Sequence, residues 1–373
     1  MAENMSLRAQ FEQRLQNFRQ QLAAAKQDAA LIFSLDNLRY VYNYSGEAAY
    51  GVVTQTSLVL ITDYRFVEQA EEECVRDYLP TTVVCRDRDQ QSLGQAIAAI
   101  LQNESARHIW FEAEHVNVGA WHAIASAIPQ AIFTPSNGVI AHQRKVKDAW
   151  EIAQIKAAAN IADQALADVL PQLRLGVSEA ELALELDYQM QKRGSQGMSF
   201  ATILGFGERS ALPHCIPSQR TLQVGDLIVL DFGAVVNGYR SDMTRSFVAG
   251  EASPQQRAMF ATVHAAQQAA FAVLRDGVAA VEVNAASAAV LQASSLAKYA
   301  GPGLGHGLGI QLHEQPFISP VCREHLKKNY VVTIEPGIYI PQYGGVRIED
   351  DVLITEHGFE FITHAPKHAE LPL

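Results

Sequence analysis

The segment that most constrains the fold is residues 229–245, VLDFGAVVNGYRSDMTR, an apolar run with an aspartate on either side of an Asn-Gly pair. Asn237-Gly238 is typical of a two-residue β-hairpin turn, and this turn makes Val236 face Tyr239. The segment therefore predicts two antiparallel strands, and the turn fixes which of their residues face each other.

This register brings the two aspartates close together. Asp231 lies opposite Thr244 and Asp242 opposite Gly233, so Asp231, Thr244 and Asp242 project from one face of the ribbon. As diagonal neighbours, the aspartates are expected about 7–8 Å apart at the backbone. Carboxylates this close in apolar surroundings repel each other unless cations lie between them, and two divalent ions about 3.5–4 Å apart fit such a gap. A solvated polar face is the alternative for this segment taken alone.

A candidate nitrogen ligand, His306, lies in the glycine-rich segment GPGLGHGLGIQLHEQP, residues 301–316. The spacing differs from GxGxxG and no helix start follows, which argues against a phosphate loop. Repeated glycines instead indicate close backbone approach around a crowded site. The segment HEQPF is not the zinc-protease motif HExxH, because Phe317 replaces the second histidine and Pro316 would interrupt the helix.

Two further carboxylates follow in strand-like contexts. Glu335 comes after four apolar or β-branched residues in VVTIEPGIYIP, and Glu349 lies two residues after Arg347 in GGVRIEDDVLIT. The spacing of Arg347 and Glu349 places both on one face of a strand. Either glutamate alone could be an ordinary ion-paired strand residue, but several such groups in separate apolar contexts indicate a shared site.

Together these segments supply carboxylates and one imidazole as candidate metal ligands: Asp231, Asp242, His306, Glu335 and Glu349. Oxygen ligands with one nitrogen suit Mn, Fe, Co or Zn, and the lack of cysteine ligands argues against a structural zinc site. Two divalent ions that share a hydroxide generate a nucleophile near neutral pH and polarise a carbonyl. The set therefore predicts a hydrolase.

The chain is predicted to form an α/β domain over residues 1–140 and an α+β domain over residues 141–373. In the first, strand-like runs alternate with helical patterns, which predicts a sheet covered by helices. Its predicted elements are helices at 7–26, 66–75 and 118–127 and strands at 29–34, 56–62 and 108–113. The turn Ser136-Asn137-Gly138 begins a crossover into the second domain.

In the second domain, helices are predicted at 148–170, 178–194, 254–274 and 280–298, with strands within 226–249 and 330–355. Asp148 is a suitable N-cap for the first helix. Ser178 and Glu181 have the spacing of a capping box, and Gly194 ends that helix. The order of elements predicts helices packed on a mostly antiparallel sheet.

Composition excludes several classes of function. The net charge of −11 argues against nucleic acid or an anionic membrane as the main partner. No apolar stretch reaches the roughly 18 residues of a membrane span, and the N-terminal residues lack the apolar segment of a secretory signal. The cysteines form no Cys-x-x-Cys pair, which predicts reduced thiols in a cytoplasmic protein: Cys74, Cys85, Cys215 and Cys322.

The chain resembles the metal-dependent peptidases of the pita-bread fold, which include methionine aminopeptidase, aminopeptidase P and prolidase. The matching segments, in order, are LDFGAVVNGYRSDMTRSF, GLGHGLGIQLHEQP, TIEPGIYIP and GGVRIEDD, and they cover about residues 200–355. The first domain resembles the one that precedes the catalytic domain in prolidases, aminopeptidases P and creatinases. The resemblance implies two divalent ions, with manganese the expected metal, and a homodimer.

The resemblance also implies a role for each matching ligand. Asp231 would chelate one metal, and Asp242 and Glu349 would bridge both. His306 and Glu335 would complete the shell of the other metal, and Glu335 would accept a proton from the bridging water.

Other residues around the metals match the family as well. His214 would line the substrate pocket, and His313 would stabilise the tetrahedral intermediate as an oxyanion-type donor. Arg347 and Tyr339 match an arginine and a tyrosine beside the metals in the proline-specific members. Pro302 departs from the pattern, because those members usually carry a histidine four residues before the metal-binding one.

The implied activity is that of an Xaa-Pro aminopeptidase or an Xaa-Pro dipeptidase acting on short peptides. The departure at Pro302 leaves open a related hydrolase that acts on a non-proline peptide or another small amide. A non-catalytic binding module is a third alternative, although domains of that type lose the metal ligands that this chain keeps.

Overall fold

The computed structural model describes residues 7–76, 79–368 and 370–371. It divides into two compact units, the first ending at Arg144 and the second beginning at Lys145. Across the described parts of the chain, no helix combines the length and the apolar character that crossing a bilayer requires.

The first unit is an α/β fold built on a six-stranded mixed sheet of order β4-β3-β2-β1-β5-β6. Its strands are β1 (Ala29–Ile32), β2 (Tyr50–Thr54), β3 (Leu58–Thr62), β4 (Thr82–Cys85), β5 (His108–Phe111) and β6 (Ile132–Pro135). Its helices are α1 (Leu7–Ala24), α2 (Leu35–Tyr42), α3 (Val67–Ala70, continued by a π-helical turn at Glu71–Arg76), α4 (Leu93–Asn103), α5 (Val118–Ala127) and α6 (Val139–Arg144). Strand β2 pairs antiparallel with β1 and with β3, and the other pairs of neighbouring strands in this sheet are parallel.

The predicted elements of this unit are confirmed, and the structure adds β2, β4, β6, α2, α4 and α6. The predicted turn before α6 is present, since Asn137 and Gly138 both have positive φ, 49° and 70°. After this turn the crossover begins with helix α6. A helix of six residues is too short to show a periodic apolar pattern, which is why the sequence did not predict it.

The second unit is an α+β fold. Its helices are α7 (Ala149–Val169), α8 (Glu179–Lys192), α9 (Pro254–Val273) and α10 (Ala280–Ala293), with 3₁₀ turns at Leu170–Gln172, Gly207–Ala211 and Ala297–Tyr299. Its strands are β7 (Ile203–Phe206), β8 (Leu227–Phe232), β9 (Val235–Val236), β10 (Tyr239–Arg240), β11 (Met243–Ala249), β12 (Gly305–Gly307), β13 (Glu314–Ile318), β14 (Val331–Ile334), β15 (Gly337–Ile340), β16 (Gly344–Arg347), β17 (Asp350–Ile354), β18 (Phe359–Phe361) and β19 (Glu370–Leu371).

These strands form a four-stranded sheet of order β19-β11-β8-β7, a five-stranded sheet of order β13-β12-β14-β17-β18, and two-stranded ribbons β9–β10 and β15–β16. These pairings are antiparallel except for that of β11 with β19. This agrees with the mostly antiparallel sheet that the sequence predicted. The predicted caps are also present, because Asp148 and Ser178 each form a capping box at the start of α7 and α8. Helix α10 ends at Ala293, before the predicted position 298, where a 3₁₀ turn follows instead.

Each of the two larger sheets of the second unit is covered by a pair of helices. Helices α7 and α8 bury Leu166 and Leu186 against Leu230 of β8. Helices α9 and α10 bury Phe271 and Val283 against apolar residues of β14 and β17. Because side chains alternate along a strand, the odd-numbered residues of β8 point away from its helices. This leaves a face on which polar side chains can gather.

Candidate metal centre

The predicted hairpin register is confirmed. Val236 pairs with Tyr239 at the turn, and Asp231 pairs with Thr244 further along β8 and β11. Asp231 and Asp242 line the same cavity and are buried, with exposed fractions of 7% and 4%. The Asn-Gly turn therefore positions two carboxylates that are eleven residues apart in sequence.

The same register holds in the stretch between the β9–β10 pair and the β8–β11 pair. The N–H of Ser241 donates a 3.1 Å hydrogen bond to the carbonyl of Ala234, so Asp242 lies opposite Gly233. A Cβ atom on Gly233 would lie 1.9 Å from the carbonyl oxygen of Ser241. Glycine is required here because the two chains approach each other too closely for any side chain.

The five-stranded sheet contributes the other predicted ligands. Strands β14 and β17 are antiparallel neighbours. Glu335, which follows β14, and Glu349, which precedes β17, therefore leave the sheet at the same end. His306 lies on β12, where its backbone N–H donates to Thr333 Oγ1 at 3.1 Å. The backbone N–H of Glu349 donates to the carbonyl of Thr244, which links the two sheets at this point.

The predicted ligands converge. One ligand atom each of Asp242, His306 and Glu349 lies within 4.8 Å of the others, and all three residues are buried. His306 Nε2 is 3.6 Å from Asp242 Oδ2 and 3.4 Å from Glu335 Oε1. The Glu335 side chain is 27% exposed, so it lies on the cavity side of the cluster.

Crowding and burial disfavour negative charge in this cluster. Burial raises the pKa of Asp242 and of Glu349 well above the ordinary values, and repulsion from neighbouring carboxylates adds to the effect. Burial also raises the pKa of Glu335, to about 7. Burial lowers the pKa of His306 to about 4, which keeps this imidazole neutral and able to ligate a metal. A cation among the carboxylates would offset their repulsion.

Asp231 is held by Arg347. The guanidinium donates from Nη2 to Asp231 Oδ2 at 2.5 Å, from Nη1 to the Tyr339 hydroxyl at 2.6 Å and from Nε to Thr244 Oγ1 at 2.9 Å. Asp231 Oδ1, by contrast, is buried without a hydrogen-bond partner. A buried carboxylate oxygen left unpaired beside other carboxylates is what a metal ligand needs, so the donor set fits divalent ions such as Mn, Fe, Co or Zn.

The cluster lies in a cavity of about 710 Å³ whose lining also includes His214, His313, Tyr339 and Arg347. The His313 ring centroid is 4.4 Å from that of His306, with the rings nearly perpendicular. Burial and the neighbouring His214 lower the pKa of His313. All the side chains that the sequence predicted for the site therefore face one cavity.

Pro302 lies elsewhere. It lines a separate groove of about 490 Å³ with residues of α10 such as Asn284 and Ala288. The one departure from the resemblance thus falls outside the lining of the cavity that holds the carboxylates.

Sequence reasoning missed a charged network behind the ligands. Arg245, 1% exposed, donates to Asp350 Oδ1 at 2.8 Å. Asp351 Oδ2 accepts a 2.8 Å hydrogen bond from the backbone N–H of Asp242. The sequence did contain an indication of this network. Because side chains alternate along a strand, Arg245 lies on the same helix-covered face of β11 as Met243, and a charge buried there without a partner would be costly.

Known proteins match most of the chain. Residues 14–146 match the model of the Creatinase/Prolidase N-terminal domain, and residues 153–356 match that of metallopeptidase family M24. An uncharacterized peptidase of Bacillus subtilis, YqhT, is 36% identical over 340 residues, which covers 91% of this chain and 94% of that protein.

Solved structures agree with these matches. The Xaa-Pro dipeptidase from Bacillus anthracis superimposes with a TM-score of 0.91 at 33% identity, covering 96% of this chain and 99% of that one. The X-Pro aminopeptidase from Thermotoga maritima gives a TM-score of 0.88 at 31% identity, covering 96% of this chain and 100% of that one.

Proposed function

The chain belongs to metallopeptidase family M24, and we propose that it hydrolyses the Xaa-Pro bond of short peptides, as an Xaa-Pro aminopeptidase or Xaa-Pro dipeptidase. The observation that carries the proposal is the convergence of Asp242, His306 and Glu349 beside the unpaired Oδ1 of Asp231. Such a donor set on two facing sheets suits a pair of divalent ions.

Each ligand has a distinct place in the proposal. Asp231, whose Oδ1 has no hydrogen-bond partner, would hold one ion, and Asp242 and Glu349 would be shared by both. His306 and Glu335 would complete the ligand set of the other ion. When bound, such ions would supply a hydroxide as nucleophile near neutral pH and would polarise the scissile carbonyl. Glu335 lies on the cavity side of the cluster, where it would accept a proton from the reacting water.

Other polar side chains of the cavity have two kinds of role. His313 donates to the oxygen of the scissile carbonyl as charge develops there. His214 lines the substrate pocket, and Arg347 with Tyr339 fixes the orientation of Asp231 through the hydrogen bonds described above. All four residues thus act on the substrate or on a metal ligand.

The names of similar structures support proline as the specificity, since one is called an Xaa-Pro dipeptidase and another an X-Pro aminopeptidase. Pro302 gives no support to a non-proline substrate, because it lines a different groove. We further propose manganese as the metal, although Co, Zn or Fe also suits these ligands. The four free cysteines support a reducing, cytoplasmic location, and the family resemblance supports a homodimer.

The test is hydrolysis by metal-free protein reloaded with Mn. Ala-Pro and Ala-Pro-Ala are offered beside Ala-Ala-Ala, which matches the tripeptide in size but lacks the proline. We expect cleavage of at least one proline substrate, with Ala-Ala-Ala untouched. Bound metal without cleavage of either proline peptide would contradict the proposal, and equal cleavage of Ala-Ala-Ala would favour the non-proline alternative.

A further inference from the structure

Gln267 is a fully buried polar side chain on helix α9. It shares the buried face of this helix with Ala266 and Ala270, which pack into the apolar cores of the second unit. A primary amide has two N–H donors and one carbonyl acceptor, and burying it without partners costs free energy. The partners of this amide therefore show what the residue does.

The amide nitrogen of Gln267 lies among three oxygen acceptors. Nε2 donates to the carbonyl oxygens of Ile334 and Ile348, at 3.0 and 3.1 Å. It is also 2.9 Å from Asp350 Oδ2, so its two hydrogens are shared among three acceptors. Oε1 accepts a 3.2 Å hydrogen bond from Lys367 Nζ. The flipped amide would set an oxygen against three oxygens, so these contacts fix the orientation of the side chain.

The two carbonyl groups belong to the residues directly before two proposed metal ligands. Ile334 ends β14 and is followed by Glu335. Ile348 lies between β16 and β17 and is followed by Glu349. Because a peptide group is planar, its carbonyl oxygen and the Cα atom of the next residue move together. The amide of Gln267 therefore holds both glutamates at their Cα atoms.

The register of the two strands shows why such a bridge matters. Strand β14 pairs with β17 as far as Ile334 and Asp350. One step further, where the strands have ended, the same register sets Glu335 opposite Glu349. Like charges directly opposite each other on neighbouring chains are destabilising. Metal ligands must nevertheless be held to within about 0.5 Å of a productive geometry. A side chain that bonds to both chains at this point opposes their separation.

We propose that Gln267 is a positioning residue that sets the distance between Glu335 and Glu349 and thereby the affinity of the site for its metal ions. The inference rests on the proposed function and adds a determinant of metal binding on a helix behind the ligands. Gln267 acts through the backbone of two segments, and Lys367 keeps its amide turned toward them.

The experiment compares Gln267→Met with Gln256→Met, a control on the same helix. Gln256 is 7% exposed and donates at 2.7 Å to the carbonyl of Gly225, which precedes Asp226 rather than a proposed ligand. Both methionine variants keep the length of the side chain and lose a buried amide, so both are expected to unfold at a lower temperature than wild type. Only Gln267→Met should also bind metal more weakly.

Calorimetric titration of the metal-free, full-length proteins with Mn measures the difference, at a temperature at which all of them are folded. We expect Gln267→Met to bind Mn about tenfold or more weakly than wild type, and Gln256→Met to bind it as wild type does. Wild-type affinity in Gln267→Met, or an equal loss in both variants, overturns the inference and leaves the proposed function standing. A wild-type protein that binds no Mn overturns the proposed function itself.

A second variant makes the test independent of the folding of the first. Gln267→Asn keeps the amide but is one methylene shorter, so it cannot reach both carbonyls, and it decides the question should Gln267→Met not fold. We expect this variant also to bind Mn more weakly than wild type. Wild-type affinity in it would contradict the inference.

A kinetic measurement separates metal positioning from substrate binding. With Mn saturating, the folded Gln267 variant is offered Ala-Pro or Ala-Pro-Ala, whichever the wild type cleaves. We expect kcat to fall about tenfold with KM unchanged, because the ligands are displaced and the contacts to substrate are not. A raised KM with unchanged kcat would place the residue in substrate binding and overturn the inference.

Discussion

The guanidinium of Arg245 donates a 2.6 Å hydrogen bond from Nη1 to the backbone carbonyl of Glu349. A buried cation on the four-stranded sheet thereby holds the chain at a proposed metal ligand of the five-stranded sheet. The same side chain pairs with Asp350, which also accepts from Lys367 at 2.5 Å. The geometry of the cluster thus depends on residues that do not line the cavity.

Arg245→Met should destabilise the protein by about 3 kcal/mol, because it leaves the buried Asp350 with one cationic partner fewer and frees the Glu349 carbonyl. Urea denaturation followed by circular dichroism measures the change. Arg257→Met is the matched control: its pairs with Glu251 and Glu370 are solvent-exposed, so no measurable change is expected. A loss no larger in the Arg245 variant than in the control would show that the network does not support the fold.

Arg347→Lys should lower kcat/KM by about 10- to 100-fold, because lysine keeps the charge but loses the planar fork that orients Asp231. Steady-state hydrolysis of Ala-Pro-Ala measures it. Arg193→Lys, which alters an exposed ion pair with Asp168, serves as the control and should retain full activity. Wild-type rates in the Arg347 variant would indicate that charge alone, without the hydrogen-bond geometry, positions Asp231.

The metal-free protein should lose stability as pH rises from about 4.5 to about 7. The pKa of Glu335 in the folded state is raised to about 7 by burial, and burial also raises the pKa values of Asp242 and Glu349 well above the ordinary ones. At these three carboxyls the native state holds protons that the unfolded chain has already released, so their contribution to stability declines through this window. His306, whose pKa is lowered from 6.5 to about 4, acts in the opposite direction, but the three carboxyls outnumber it. Thermal unfolding at several pH values, with chelator and then with saturating Mn, measures the trend.

Bound Mn should remove this decline, because the cations favour the ionised carboxylates. Metal-free Asp242→Asn should show a shallower decline than metal-free wild type, since one of the repelling groups is then neutral at every pH. If the thermal unfolding midpoint of the metal-free wild type rises with pH, this would contradict the conclusion that these carboxylates repel one another in the folded protein.

The sequence was sufficient for the part of the site that local rules control. Asn237-Gly238 sets the hairpin register, and the two-residue period of a strand then places Asp231 and Asp242 on one face. The helix boundaries at Asp148 and Ser178 were equally predictable, because a capping box is a contact between residues three apart.

The rest depends on contacts between distant segments. The partner of Arg245 is Asp350, more than a hundred residues away, and no local pattern identifies it. The position of Pro302 in a groove beside α10 follows from the path of a glycine-rich loop, which sequence spacing does not determine. Likewise, only the pairing of β12 with β13 reveals that Phe317 lies beside His306.

The central claim, that these side chains hold a pair of divalent ions, is tested most directly by counting metal. Mass spectrometry of protein reloaded with Mn and desalted should give about two ions per chain. Asp242→Asn should fall to one or fewer, while Asp89→Asn, a substitution at an exposed residue outside the site, should keep both. A wild-type protein that retains no stoichiometric metal would contradict the account.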